Sequence, residues 1–201
     1  MYPLSFKILL AGDEAVGKTS LVRRFVDKRF MESYLPTLGF EISVKAIELD
    51  GIPMIFSIWD IGGQQCFEPI RHSYYEGSHG FLLVFSVANR VTFANLENWI
   101  IDIHNTCPHA PTVILANKAD LEPWKVTPEE IDIECKKLGA AGFIATSAKT
   151  GDGVAEGFSV LGQAILQNIG LERSENLRDP QPLDDGGASR TRSLSTAYNP
   201  H

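Results

Sequence analysis

Residues 12–19 read Gly-Asp-Glu-Ala-Val-Gly-Lys-Thr, a complete Gly-x4-Gly-Lys-Thr P-loop, and no other stretch restricts the fold of this chain as much. The motif needs a strand before it and a helix after it. Only then do the loop amides and the positive end of the helix converge on one phosphate cluster. Both neighbours are present: Leu4–Ala11 reads as a strand, and Gly17 to about Lys28 reads as a helix. In such a loop Lys18 brings a full charge to the β- and γ-phosphates, and the Thr19 hydroxyl can bind Mg²⁺. Glu14, Ala15, Val16, Gly17, Lys18, Thr19 and the following Ser20 are the expected contacts on the phosphate side. This motif alone leaves ATP and GTP equally open.

The rest of the chain alternates apolar runs with helical patterns, as a parallel sheet with helices on both faces requires. Strands are expected at Leu4–Ala11, Glu41–Leu49, Ile52–Asp60, Phe81–Val87, Thr112–Ala116 and Phe143–Thr146. Glu41–Leu49 alternates at period two. Asp50-Gly51 is a hairpin turn, because both residues tolerate positive φ, so Ile52–Asp60 should return antiparallel. The fold class is therefore α/β: a six-stranded, mostly parallel sheet with one antiparallel edge strand. Helices are expected at about Val91–Asn105, Thr127–Leu138 and Gly153–Ile169. Thr127-Pro128-Glu129-Glu130 is a capping box with proline at the first helical position. Val154, Phe158, Leu161 and Ile165 recur at helical spacing and give the last helix one apolar stripe. From Arg173 onward the composition shifts to Pro, Asp, Gly, Ser and Arg, too little apolar surface to offset the entropy of ordering. One domain over 1–172 and a disordered tail over 173–201 are expected.

Composition narrows the partners. A chain of 201 residues suits one well-buried α/β domain. A formal net charge of -7 argues against non-specific binding to nucleic acid or to an anionic membrane. The three cysteines, Cys66, Cys107 and Cys135, are scattered and odd in number. They form no disulfide framework and suit a reducing compartment, so a cytoplasmic protein is expected. No secretory pattern, myristoylation glycine or prenylation cysteine is visible, so no lipid anchor is expected. The longest apolar run, Phe81 to Ala88, is interrupted by Ser86 and is far short of a membrane span. His104, Cys107 and His109 have the composition of a metal cluster without a fourth ligand nearby, and read as an ordinary loop. Arg23-Arg24 and Lys28-Arg29 read as a solvated face of the first helix.

Asp60 closes the run Met54–Trp59 and is followed by Gly62-Gly63-Gln64. A strand-end Asp can hold Mg²⁺ through water, and a glycine there lets the backbone swing toward a γ-phosphate. The Gln64 amide can orient a water in line with that phosphate. Asn117-Lys118-Ala119-Asp120 follows the strand Thr112–Ala116. A carboxylate at Asp120 can accept from a ring N–H and an exocyclic amine, a donor pair that guanine has and adenine lacks. Thr146-Ser147-Ala148-Lys149 closes the last strand.

In this order and spacing the motifs resemble those of the Ras superfamily of small GTPases, closest to its Rab branch, over about residues 4–170. The resemblance implies a Ras-like G domain in which Asn117, Lys118 and Asp120 hold guanine, aided by Ser147, Ala148 and Lys149. It places Phe30 edge-on to the base. Tyr34-Leu35-Pro36-Thr37 resembles switch I, with Thr37 binding Mg²⁺ and the γ-phosphate. Asp60-Ile61-Gly62-Gly63-Gln64 resembles switch II, with Gln64 orienting the attacking water. The implied metal set is Thr19, Thr37 and Asp60, and the implied catalytic set is Gln64, Lys18 and Thr37. Tyr74–Gly80 and Phe93–Trp99 are similar to Rab proteins, and Trp59 matches the tryptophan on which Rab effectors pack. A monomeric, slowly hydrolysing GTP/GDP switch is implied, in trafficking or signalling. Effectors would use both switches, and an exchange factor and an activating protein would serve it, because no arginine of the P-loop or switch I can act as an internal finger.

The sequence departs from that pattern at four places. Glu14 stands where the family carries a small residue. It is expected to point to solvent, since burying a charge beside phosphates is costly, and it is expected to weaken hydrolysis. Ile61-Gly62-Gly63-Gln64-Gln65 replaces the Rab pattern Thr-Ala-Gly-Gln-Glu, and its paired glycines resemble the Arf branch. Gln65 in place of the usual Glu is expected to alter recognition by an exchange factor. No terminal cysteines follow. A GTP-holding scaffold that recruits effectors is the alternative to active turnover.

Overall fold

The computed structural model describes residues 2–31, 36–37, 39–63 and 68–170, and among these it forms six strands and six helices. The strands are β1 (Leu4–Ala11), β2 (Phe40–Leu49), β3 (Ile52–Ile61), β4 (Gly80–Ser86), β5 (Thr112–Asn117) and β6 (Gly142–Thr146). They lie in the order β2-β3-β1-β4-β5-β6, with β2 antiparallel to β3 and the remaining pairs parallel. The helices are α1 (Lys18–Asp27), α2 (Glu68–Tyr75), α3 (Arg90–Ala94), α4 (Leu96–Thr106), α5 (Pro128–Lys137) and α6 (Val154–Asn168). Among the described residues no helix is long and apolar enough to cross a membrane.

Each central strand buries both faces, which is why it reads as a continuous apolar run. Ile8 and Leu10 of β1, Leu82 and Val84 of β4, and Val113 and Leu115 of β5 share one core with α1 and α6. Their alternates Leu9, Phe81, Leu83, Phe85 and Ile114 face a second core with α4 and α5. The period-two alternation of the strands thus divides the apolar residues between two layers of helices.

The register sets the site. Leu10 pairs with Asp60, Ser86 with Asn117, and Asn117 with Thr146. The P-loop, the Asp60 segment, Asn117–Asp120 and Ser147–Lys149 therefore all emerge at the carboxyl ends of neighbouring strands, where open α/β sheets bind ligands.

Two helical readings change. The helix expected over Val91–Asn105 is two helices, with Asn95 between them at φ −79 and ψ −6. The Asn95 side chain leaves the helix axis to reach the P-loop (below), so a tertiary contact accompanies the break. The eight-residue helix α2 was not expected at all. Among its described side chains the buried ones are Arg71 and Tyr75, whose polar ends do not register as an apolar stripe. The remaining helices keep their expected positions within one or two residues, the ordinary spread of helix ends. The Thr127 capping box forms as read: Glu130 N donates to Thr127 Oγ1 at 3.2 Å, and Thr127 N donates to Glu130 Oε2 at 2.8 Å. The segment expected to be a tail lies outside the described residues.

Candidate nucleotide site

Gly17 ends the P-loop at φ 101, in the left-handed region, and a Cβ there would lie 2.4 Å from Asn117 Nδ2. Only glycine meets both demands, and the loop can then turn directly into α1. Lys18 is buried, and its Nζ donates to the carbonyls of Gly12 and Asp13, each at 2.7 Å. Burial pushes its amine down to about 8, with Asp60 and Asp13 pulling the other way. An anion at this loop therefore meets an ammonium already stripped of water, where its attraction is strongest.

The three expected metal ligands come together from three separate segments. Thr19 Oγ1 lies 2.7 Å from Thr37 Oγ1, and the Thr19 hydroxyl also donates to Asp60 Oδ2. Asp60 is buried, and burial pushes its carboxyl up, against the Thr19 hydrogen bond and the charge of Lys18. Its Oδ1 has no hydrogen-bond partner among the described residues. An orphaned buried carboxylate oxygen costs free energy unless something cationic or donating meets it. Two hydroxyls and one carboxylate are all-oxygen donors, the set that suits a hard divalent ion such as Mg²⁺. The residues present fit the metal.

At the other end, Asn117 does more than the sequence reading assigns to it. Its Nδ2 donates to Val16 O at 2.8 Å, and its Oδ1 accepts from Thr146 Oγ1 and Ala148 N, each at 3.3 Å. The side chain thus ties the P-loop to β6 and to the Ser147–Lys149 loop. Asp120 is exposed, and its Oδ1 accepts from Ser147 Oγ at 2.7 Å, which orients the carboxylate. Lys118 sits at φ 65, and burial lowers its amine while Asp120 raises it.

Glu14, Ala15, Gly17, Lys18, Thr19, Ser20, Phe30, Thr37, Gly63, Asn117, Lys118, Asp120, Ala148 and Lys149 line one cleft of about 290 Å³. Val16 and Ser147 are buried, and each bonds to a residue of that lining. Glu14 is exposed and lines the mouth of the cleft. Tyr34 and Gln64 lie outside the described residues. Arg23, Met31 and Leu121 also line the cleft and were not anticipated. Arg23 follows Ser20 by one helical turn and Leu121 follows Asp120, so spacing from the motifs was the signal available.

The reading of Arg23-Arg24 as a solvated face is corrected. Arg24 Nε donates to Ala148 O at 2.8 Å, and its guanidinium also reaches Lys149 O. It holds the last motif loop onto α1, a partner 124 residues away that local sequence could not show.

Gly63 packs directly on the P-loop. A Cβ there would meet the Asp13 carbonyl carbon and oxygen at 2.5 and 2.6 Å and Glu14 N at 2.6 Å. On the adjoining hairpin Phe40 stacks on Trp59 at 5.3 Å between centroids, and Tyr74 lies 4.9 Å from Phe40. Phe40, Ile42 and Val44 are exposed beside them, so an aromatic and aliphatic surface continues from the cleft.

Comparison with known proteins agrees with this geometry. A family model described as the Ras family matches residues 7–167. The chain is 35% identical over 185 residues to the Ras-related protein Rab-13 of Mesocricetus auratus, covering 91% of each chain. It is 33% identical over 195 residues to the Ras-related protein Rab-13 of Canis lupus familiaris, covering 94% of this chain and 96% of that one.

Proposed function

This chain belongs to the Ras family of small GTPases, and from that premise we propose that it is a Rab-like switch that binds GTP with Mg²⁺ and hydrolyses it slowly. The carrying observation is the cluster of Thr19, Thr37 and Asp60, which joins the P-loop, the segment before β2 and the end of β3 at one point. Thr19, Thr37 and Asp60 would hold Mg²⁺, which would supply positive charge to the phosphate oxygens. Lys18 neutralises the same oxygens from inside the loop. Asp120, set by Ser147, accepts the guanine N–H pair and gives the site its preference for GTP.

Thr37 and Gly63 answer to the γ-phosphate, one through its hydroxyl and one through its backbone. While the phosphate is present both segments are held, and after hydrolysis they relax. Water attacks the γ-phosphorus in line, with Gln64 orienting it and with little covalent work by the protein. The surface of Phe40, Trp59 and Tyr74 borders the two segments that respond, so effectors reading it would read the nucleotide state. Turnover at a useful rate would require an activating protein.

Single-turnover hydrolysis of bound GTP tests this reading. The native chain should turn over slowly, and Gln64→Leu should be slower by about tenfold to a hundredfold, the loss of a positioning group. Glu14→Gly should be faster than native. A native rate equal to that of Gln64→Leu would leave a GTP-holding scaffold, and equal affinity for ATP and GTP would overturn the assignment of Asp120.

A further inference from the structure

The second residue of the P-loop is tied to a helix far along the chain. Asp13 Oδ1 accepts from Trp99 Nε1 at 2.7 Å, and Asp13 Oδ2 accepts from Asn95 Nδ2 at 2.8 Å. Neither donor is a backbone amide of α1, and Gly17 at the start of that helix has no side-chain cap. The carboxylate is therefore not capping its own helix. Each oxygen has its own side-chain donor from the junction of α3 and α4, which anchors the loop at one point.

The peptide that this carboxylate anchors is also the one that the reactive groups touch. The Asp13 carbonyl accepts from Lys18 Nζ at 2.7 Å, and Gly63 rests against the same carbonyl and the next amide. Trp99 carries a further element: the Arg71 guanidinium of α2 lies 4.3 Å over its ring, and Arg71 pairs with Asp102 of α4 at 3.6 Å. Tyr75 of α2 donates to the same Asp102 at 3.1 Å. One indole thus presents its N–H to the P-loop and its face to the helix that follows Gly63.

We propose that Asp13 is a positioning residue for GTP hydrolysis, its carboxylate pinning the Asp13–Glu14 peptide to Asn95 and Trp99 so that Lys18 and Gly63 meet the γ-phosphate in register. The proposal rests on the GTPase reading above and deepens it. It separates the two nucleotides: both draw on Lys18 at the β-phosphate, but GDP has no γ-phosphate and makes no use of the placement of Gly63.

A partner exchange tests it. Asp13→Asn keeps one acceptor for Trp99, and its N–H is met by the Asn95 oxygen once that amide turns over, but both bonds lose the charge that strengthens them. Asn95→Asp alone sets two carboxylates against each other. The double variant Asp13→Asn with Asn95→Asp restores a donor and an acceptor at every position. Two readouts are taken on the full chain with Mg²⁺: single-turnover hydrolysis, and the ratio of affinities for a non-hydrolysable GTP analogue and for GDP. Either single variant should lower both by about tenfold, the weight of one hydrogen bond to a charged group, with GDP affinity falling less than that of the analogue. The double variant should recover both.

Native values in Asp13→Asn would overturn the proposal. So would equal losses for GDP and the analogue that track the urea unfolding midpoint, since that is the mark of a merely structural anchor. A double variant that recovers folding but neither readout would overturn it as well. If the native chain shows no turnover, the hydrolysis reading fails on its own, and the affinity ratio still decides the role of Asp13.

Discussion

Lys18 and Asp60 are both buried, and burial shifts each away from its ordinary titration range. For Lys18 the native amine is pushed down to about 8 from 10.5. Below that window the amine is charged in the native and unfolded chains alike, and its burial is a full cost to the fold. Between about pH 8 and 10.5 the unfolded chain holds a proton that the native chain has released. By this residue alone, stability of the nucleotide-free protein therefore rises with pH across that window. Phosphate favours the charged amine, so nucleotide binding must take up that proton. We expect GDP affinity, measured by fluorescent-nucleotide titration, to fall as pH rises above about 8. Lys18→Arg, whose guanidinium stays charged, should remove this slope even where it weakens binding at every pH.

Most of the residues proposed to meet phosphate and metal were legible one by one, because each sits in a short motif whose chemistry has few alternatives; Thr37 came only from the family resemblance. The braces behind them were not. Arg24 on Ala148, Asn117 on Val16, and Trp99 on Asp13 each join positions more than eighty residues apart. Nothing in the local spelling distinguishes such a side chain from a solvated or core one.

At the scale of elements, the helices that the sequence revealed are those whose stability is local. The α5 capping box closes on residues three apart, with proline at the first turn, and it forms as spelled. Thr127→Ala should destabilise the protein by about 1 kcal/mol, the usual loss of an N-cap side chain, read from urea unfolding. Because Thr127 lies away from the cleft lining, guanine-nucleotide affinity at 25 °C should be unchanged. Helix α2 is the opposite case. Arg71 and Tyr75 face inward, and they are held by Trp99 and Asp102 of α4 rather than by an apolar stripe. The break at Asn95 is likewise legible only once Asp13 is in place beside it.

At the scale of the whole molecule, the sheet is a partition between two cores, and α6 closes the one beneath the P-loop. Phe158 of α6 is fully buried there and stacks on Phe25 of α1 at 3.8 Å between centroids. Phe158→Ala should cost about 3–5 kcal/mol through lost burial and the cavity left behind, measured as a lowered unfolding midpoint at an unchanged denaturant slope. Since α1 carries Lys18 and Thr19 at its start, nucleotide release should also quicken.

The sequence by itself determined most of the alternation of strands and helices, the antiparallel hairpin and the P-loop between β1 and α1. Those follow from periodicity, turn chemistry and motif spacing, which act over a few residues. Only the tertiary structure decided which oxygen of Asp60 is left without a partner, what Asn117 and Arg24 hold, and that Trp99 links the P-loop to α2. Such pairings depend on strand order and register, and these arise only when distant segments share one core.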